Sequence, residues 1–165
     1  MSYPPIRYTG ETGEVSATFR PRDHEPELSY TSGGSVDYLT TGASTGGDFG
    51  LYRWNFGPNE SGPGPHFHKT ISESFYILDG AVRLYNGEQW VEATAGDFLY
   101  VPPGGIHAFR NVAGEPASML LLFTPGAPRE EYFETLAELA RGRTLTDEGR
   151  AEFYLRHDNY WLEGS

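Results

Sequence analysis

Short apolar and aromatic runs, each halted by a turn signal, follow one another from residue 48 to residue 124. That rhythm constrains the chain more than any other feature, because runs of about four to eight residues between turns suit strands and are too short for ordinary helices. Residues 49–56 and 72–78 are the first two runs. Asp79-Gly80 then offers a two-residue hairpin turn, residues 81–85 return from it, and Asn86-Gly87 makes a second such turn. Runs at 89–93, 98–101, 106–110 and 118–123 complete the series, with Pro102-Pro103-Gly104-Gly105 as the sharpest break. An all-β antiparallel sandwich or barrel is the expected architecture.

The flanks differ from this centre. Residues 1–47 are poorly patterned and rich in Pro and Gly, with candidate strands at 14–19 and 36–40, and read as an arm laid on the main body. Beyond residue 124 the apolar period lengthens. Phe133, Leu136, Leu139 and Ala140 fall on one helical face, Pro128 suits a first helical position, and Gly142 suits a stop. A second helix is expected over 147–157 with Thr146 as its N-cap. The domain expectation is a single unit: an arm at 1–47, a core at 48–124 and a helical segment at 125–165.

Charge and composition remove several function classes. Lys plus Arg is 12 against 23 Asp plus Glu, a net charge of −11, which opposes nucleic acid and anionic membrane as partners. Cysteine is absent, so disulfides, thiolate metal sites, iron–sulfur clusters and thiol catalysis are excluded. No apolar run approaches the roughly 18 residues of a membrane span, and Met1-Ser2-Tyr3-Pro4-Pro5 shows no signal peptide, so a soluble cytoplasmic protein is expected. The arm has too little apolar pattern to fold alone. An added strand from each of two copies would protect exposed sheet edges, so a homodimer is expected.

The chemistry concentrates in four residues. His66 and His68 stand at i and i+2, on one face of a strand. Glu73 lies at an odd offset, so residues 69–71 must bend the chain if it is to rejoin them. His107 follows just after the Pro-Gly break. Three imidazoles and a carboxylate make a mixed nitrogen–oxygen site for one divalent transition metal ion, and Fe, Mn, Ni, Co, Cu and Zn all remain open. In an octahedral shell two positions would be left for water, substrate or dioxygen. Glu73 is either the fourth ligand or a free catalytic base beside a three-histidine metal. By alternation Phe75 and Ile77 share the face of Glu73, and Phe109 that of His107, so these three, with Trp54, are candidates for the substrate pocket. Tyr52 and Phe56, which alternate with Trp54, read first as core or dimer contacts. His24 reads as solvated, and His157 as a structural residue near a helix end.

At these positions the sequence resembles the cupin superfamily. His66-x-His68-x4-Glu73-x6-Gly80 follows the first cupin motif, except that Glu60 stands where that motif opens on Gly. Gly96-x5-Pro102-x-Gly104-x2-His107-x3-Asn111 follows the second at every position. The resemblance implies a double-stranded β-helix, a jelly-roll barrel, with the metal inside. It is nearest to the small quercetinase-like members, which implies a dioxygenase acting on a flavonol, a polyketide-like phenol or a 1,3-dicarbonyl compound. A redox-neutral cyclase or isomerase using the metal as Lewis acid is the alternative, and a non-catalytic small-molecule-binding protein the third reading.

Overall fold

The computed structural model describes residues 2–112 and 114–162. Eleven strands and two helices follow in order: β1 Leu28–Ser29, β2 Ser35–Thr40, β3 Gly50–Asn55, β4 His66–Phe67, β5 Ser72–Asp79, β6 Ala81–Tyr85, β7 Trp90–Thr94, β8 Phe98–Val101, β9 Ala108–Asn111, β10 Ser118–Thr124, α1 Arg129–Ala140, α2 Asp147–Arg156 and β11 Tyr160–Trp161. One wall is a six-stranded antiparallel sheet in the order β1-β2-β3-β10-β5-β8. The other is built from β7-β6-β9 and β11-β4. These two small sheets meet at a single antiparallel bridge, where His66 and His107 exchange both backbone hydrogen bonds, at 3.0 and 2.9 Å. The result is the jelly roll that the resemblance implies, within the antiparallel β architecture that the turn rhythm predicts.

Local chemistry explains the turns. Gly80, between β5 and β6, has φ 71°, and a Cβ there would lie 2.3 Å from the Pro116 carbonyl oxygen, so only glycine fits. Asn86 closes the next turn by accepting the Glu88 and Gln89 amides on its side-chain oxygen, at 3.0 and 2.9 Å. Between the walls Tyr52, Phe75, Ile77, Val82, Met119 and Phe123 are almost wholly buried. Along β5, Glu73, Phe75 and Ile77 point inward while Tyr76 and Leu78 face solvent, the alternation of a half-buried strand.

The flanks depart from expectation in two places. Residues 14–19 form no strand and lie exposed. Alternation alone does not make a strand without a neighbour to take its hydrogen bonds, and the strand expected at 36–40 has one in β3. The first helix buries Arg129, Tyr132, Phe133, Thr135 and Ala137; of the expected face Phe133 is buried, Leu136 and Leu139 are half-buried and Ala140 is exposed. Tyr132 turns the helix by stacking on Phe153 of α2, with ring centroids 5.3 Å apart. The second helix starts as expected, with the Thr146 hydroxyl accepting the Gly149 amide at 3.0 Å.

Candidate metal centre

Three strands, β4, β5 and β9, bring His66, His68, Glu73 and His107 together, and none of the four residues is more than 4% exposed. His66 sits on β4 and His107 immediately before β9. Their backbone bridge opposes the two side chains on one face, with ring centroids 4.3 Å apart. His68 leaves β4 just before the chain bends at Lys69-Thr70, the bend that the odd offset to Glu73 requires. Asp158 holds that bend. Its carboxylate accepts the Thr70 amide at 2.8 Å, the Thr70 hydroxyl at 2.7 Å and the Lys69 amide at 3.0 Å. Beyond the bend β5 points Glu73 back at the histidines.

The ring nitrogens are sorted by the backbone. Each Nδ1 faces a carbonyl oxygen: Gly64 for His66 at 2.9 Å, Asp158 for His68 at 2.7 Å and Gly105 for His107 at 3.0 Å. A carbonyl only accepts, so each Nδ1 carries the proton and each Nε2 is turned to the centre. One donor atom from each of the four residues lies within 4.8 Å of the others. Glu73 Oε2 lies 2.9 Å from His107 Nε2 and 3.1 Å from His68 Nε2. Burial pushes the Glu73 carboxyl up, but these two contacts outweigh it and hold it well below the carboxylate range. Burial pushes His107 down, and Glu73 reverses it, so His107 is raised. Burial, seconded by His107, lowers His66 to about 3. The Glu73 carboxylate and one nitrogen from each imidazole thus converge on one point. Three oriented imidazoles and an ionised carboxylate fit a divalent metal ion.

A cavity of about 440 Å³ opens beside the cluster, with His66 and Glu73 in its wall. Trp54 and Phe109 line it. Phe75 and Ile77 do not: both are fully buried in the core behind the cluster, with Phe75 against His107 and Phe109 at centroid distances of 5.9 and 5.7 Å. The far wall comes from the helical segment, through Arg129, Tyr132, Phe133 and Trp161. Asn111 carries no ligand atom but anchors the cavity rim. Fully buried, it accepts the Ser61 amide at 2.8 Å and donates to the Gly57 and Asn59 carbonyls at 3.1 and 3.2 Å. His157 is buried between Tyr132 and Phe153 and lies outside the cavity lining. The sequence reading missed Arg129 and Asp158. Arg129 had one visible signal: a cation in the first turn opposes the helix dipole, so it needs another reason to be there.

The Cupin_2 family (Cupin domain) matches residues 52–123, the stretch from β3 to β10 that carries all four metal-site residues. The tetracenomycin polyketide synthase protein TcmJ of Streptomyces glaucescens is 31% identical over 108 residues, 62% of this chain and 69% of that protein. This chain belongs to the cupin superfamily. The chain is also similar to the quercetin 2,3-dioxygenase of Bacillus subtilis, 30% identical over 86 residues, which are 52% of this chain and 25% of the enzyme. The chain thus matches about a quarter of that enzyme's length. Among solved structures, KdgF from Halomonas sp. shares the cupin fold at TM-score 0.59 and 16% identity, over 70% of this chain and 99% of that one. Among the described residues no helix is long and apolar enough to cross a membrane.

Proposed function

We propose that this cupin is a metal-dependent dioxygenase acting on a small phenolic or enolisable compound. One observation carries the reading: Glu73, ionised and the only carboxylate in the cavity lining among the described residues, sits within a three-histidine cluster and faces an aromatic cavity. The similarity to a quercetin 2,3-dioxygenase supports it. A divalent transition metal ion held by His66, His68, His107 and Glu73 would supply Lewis-acid stabilisation of an anionic oxygen and a binding place for dioxygen. The chain's own groups do the rest. Trp54 and Phe109, packed edge to face, give a flat substrate an aromatic wall, and the apolar lining excludes water, which strengthens every charge interaction inside. A Glu73 oxygen takes the proton of the substrate hydroxyl, leaving an enolate or phenolate in the cavity.

A redox-neutral cyclase is the second reading, supported by the likeness to a polyketide synthase protein. It needs the same proton transfer but no oxygen. Oxygen uptake with a panel of flavonols, polyphenols and 1,3-dicarbonyls separates the two, run on protein whose metal content is known from elemental analysis. Oxygen consumption matched to product supports the dioxygenase, and product without oxygen loss supports the cyclase. In Glu73→Gln, turnover is expected to fall by roughly 10²–10⁴-fold with part of the metal retained. Full turnover at full metal occupancy would remove Glu73 from the chemistry, and ligand binding without product would point to a binding protein.

A further inference from the structure

The proposed chemistry has no use for the most unusual charge in the molecule. Arg129 is only 4% exposed, yet it lines the same cavity as Glu73. A guanidinium carries five N–H donors and is always charged. Two of the nitrogens are engaged, NH1 on the His157 carbonyl oxygen at 2.7 Å and NH2 on Asn159 Oδ1 at 3.2 Å, and both acceptors are neutral. The Nε–H has no partner at all. Among the described residues Arg129 makes no ion pair, and the one carboxylate in the cavity wall, Glu73, already faces two imidazoles.

Glu73 and Asp158 favour the charge from a distance, but a buried cation with no direct ion pair is costly, and one kept in a cavity wall is placed to meet an arriving anion. The rings of Tyr132, Phe123 and Phe133 lie 4.3, 5.1 and 5.7 Å from the guanidinium carbon and favour the cation without neutralising it. Two neutral anchors on the C-terminal segment fix the fork in place, so it meets a ligand pre-organised. The rest of the wall is apolar and aromatic, including Trp54, Phe109 and Leu136. A planar fork with unused N–H groups beside flat rings matches a carboxylate on an aromatic body better than any neutral ligand.

We infer that Arg129 is a specificity-determining residue, and that the cavity takes an aryl carboxylate whose anionic group seats on this guanidinium. This deepens the proposed function by naming the substrate class, and it rests on that reading only for the chemistry, not for the binding. The test therefore uses metal-free protein and no turnover. 2-Naphthoate and its neutral isostere 2-naphthamide are titrated into the protein near pH 7.5, with quenching of tryptophan fluorescence as the signal, since Trp54 and Trp161 line the cavity. The naphthoate is expected to bind at least tenfold tighter than the amide. In Arg129→Gln that preference should disappear, with amide affinity held within about threefold, whereas a purely structural arginine would lose both ligands together. Equal affinities in the wild type, no binding of either compound, or an unchanged preference in Arg129→Gln would overturn the inference. Should Arg129→Gln fail to fold, the wild-type comparison decides alone. Loss of oxygen chemistry with the naphthoate preference intact would sink the dioxygenase and leave the anion subsite standing.

Discussion

Asp158 reaches the metal centre from outside the barrel, and its removal separates two effects that the structure joins. Its carboxylate takes two backbone amides and one hydroxyl at the bend after His68, while its carbonyl oxygen fixes His68 Nδ1 at 2.7 Å. Asp158 also has φ 56°, in the left-handed region. Asp158→Ala loses charge-assisted bonds at a partly exposed position, about 2–3 kcal/mol, and adds roughly 1 kcal/mol for alanine at positive φ. Asp158→Gly loses the same bonds but tolerates the backbone, so it should be about 1 kcal/mol the more stable of the two. Both variants free the 69–71 bend and so loosen His68. The cost expected for a group that orients a ligand is about 10- to 100-fold in metal affinity. Urea unfolding of metal-free protein measures the first quantity, and calorimetric titration with a divalent ion the second. A folded Asp158→Ala that binds metal within twofold of wild type would refute the claim that this contact orients His68. Equal stability of the alanine and glycine variants would refute the backbone part.

Three further outcomes follow from the same geometry. The unfolded chain protonates His66 near 6.5 while the folded one refuses until about 3, so this residue makes stability fall as pH drops through that window, by on the order of 4–5 kcal/mol; His107 is raised, so its contribution is complete below 6.5 and is lost as pH rises through its folded value. Urea midpoints of metal-free protein between pH 6.5 and 4 should therefore decline, and His66→Leu should flatten the decline; an unchanged slope would contradict the assignment. Asn111→Ala leaves the Ser61 amide and the Gly57 and Asn59 carbonyls without their partner and should cost about 3–4 kcal/mol by denaturant unfolding. We propose a homodimer, because edge strand β8 exposes Phe98 and Tyr100 beside Tyr76, and the arm exposes Tyr3, Ile6 and Phe19; light scattering at micromolar concentration should give about twice 18.3 kDa, and the monomer mass would exclude it.

What the sequence displayed was local. Asn86-Gly87 announces its hairpin because the chemistry of a tight turn is complete within it, whereas Asp79-Gly80 marks a break but joins β5 and β6, which lie in different sheets and do not pair, so the hairpin expected there is not formed. The spacing of His66, His68 and Glu73 is legible because strand alternation is strict, and the one violation of it correctly placed the bend. Phe75 and Ile77 show where alternation stops being enough. They do share the inward face of Glu73, but each step of two residues moves about 7 Å along the strand, and the cavity opens at the other end. Strands as short as β4 and β11 have no period to detect, and β11 is defined by pairing with a partner over ninety residues away. Arg129 and Asp158 were hidden for the same reason. Each acts through contacts that close only when the helical segment folds back over the barrel, and no window of sequence contains both sides.

The helical segment packed against the barrel has a consequence for how this molecule can vary. All four candidate metal ligands lie between residues 66 and 107, whereas Arg129, Tyr132, Phe133 and Trp161 reach the same cavity from the tail. In the proposed reading, reactivity and selectivity are thus written on separate stretches of the polypeptide. There, substitutions in the tail change what enters without disturbing the donor atoms, provided that Asp158 keeps its grip on the bend. Asp158 is then the hinge pin between the two scripts: it belongs to the stretch proposed to select, and it steadies the stretch proposed to react.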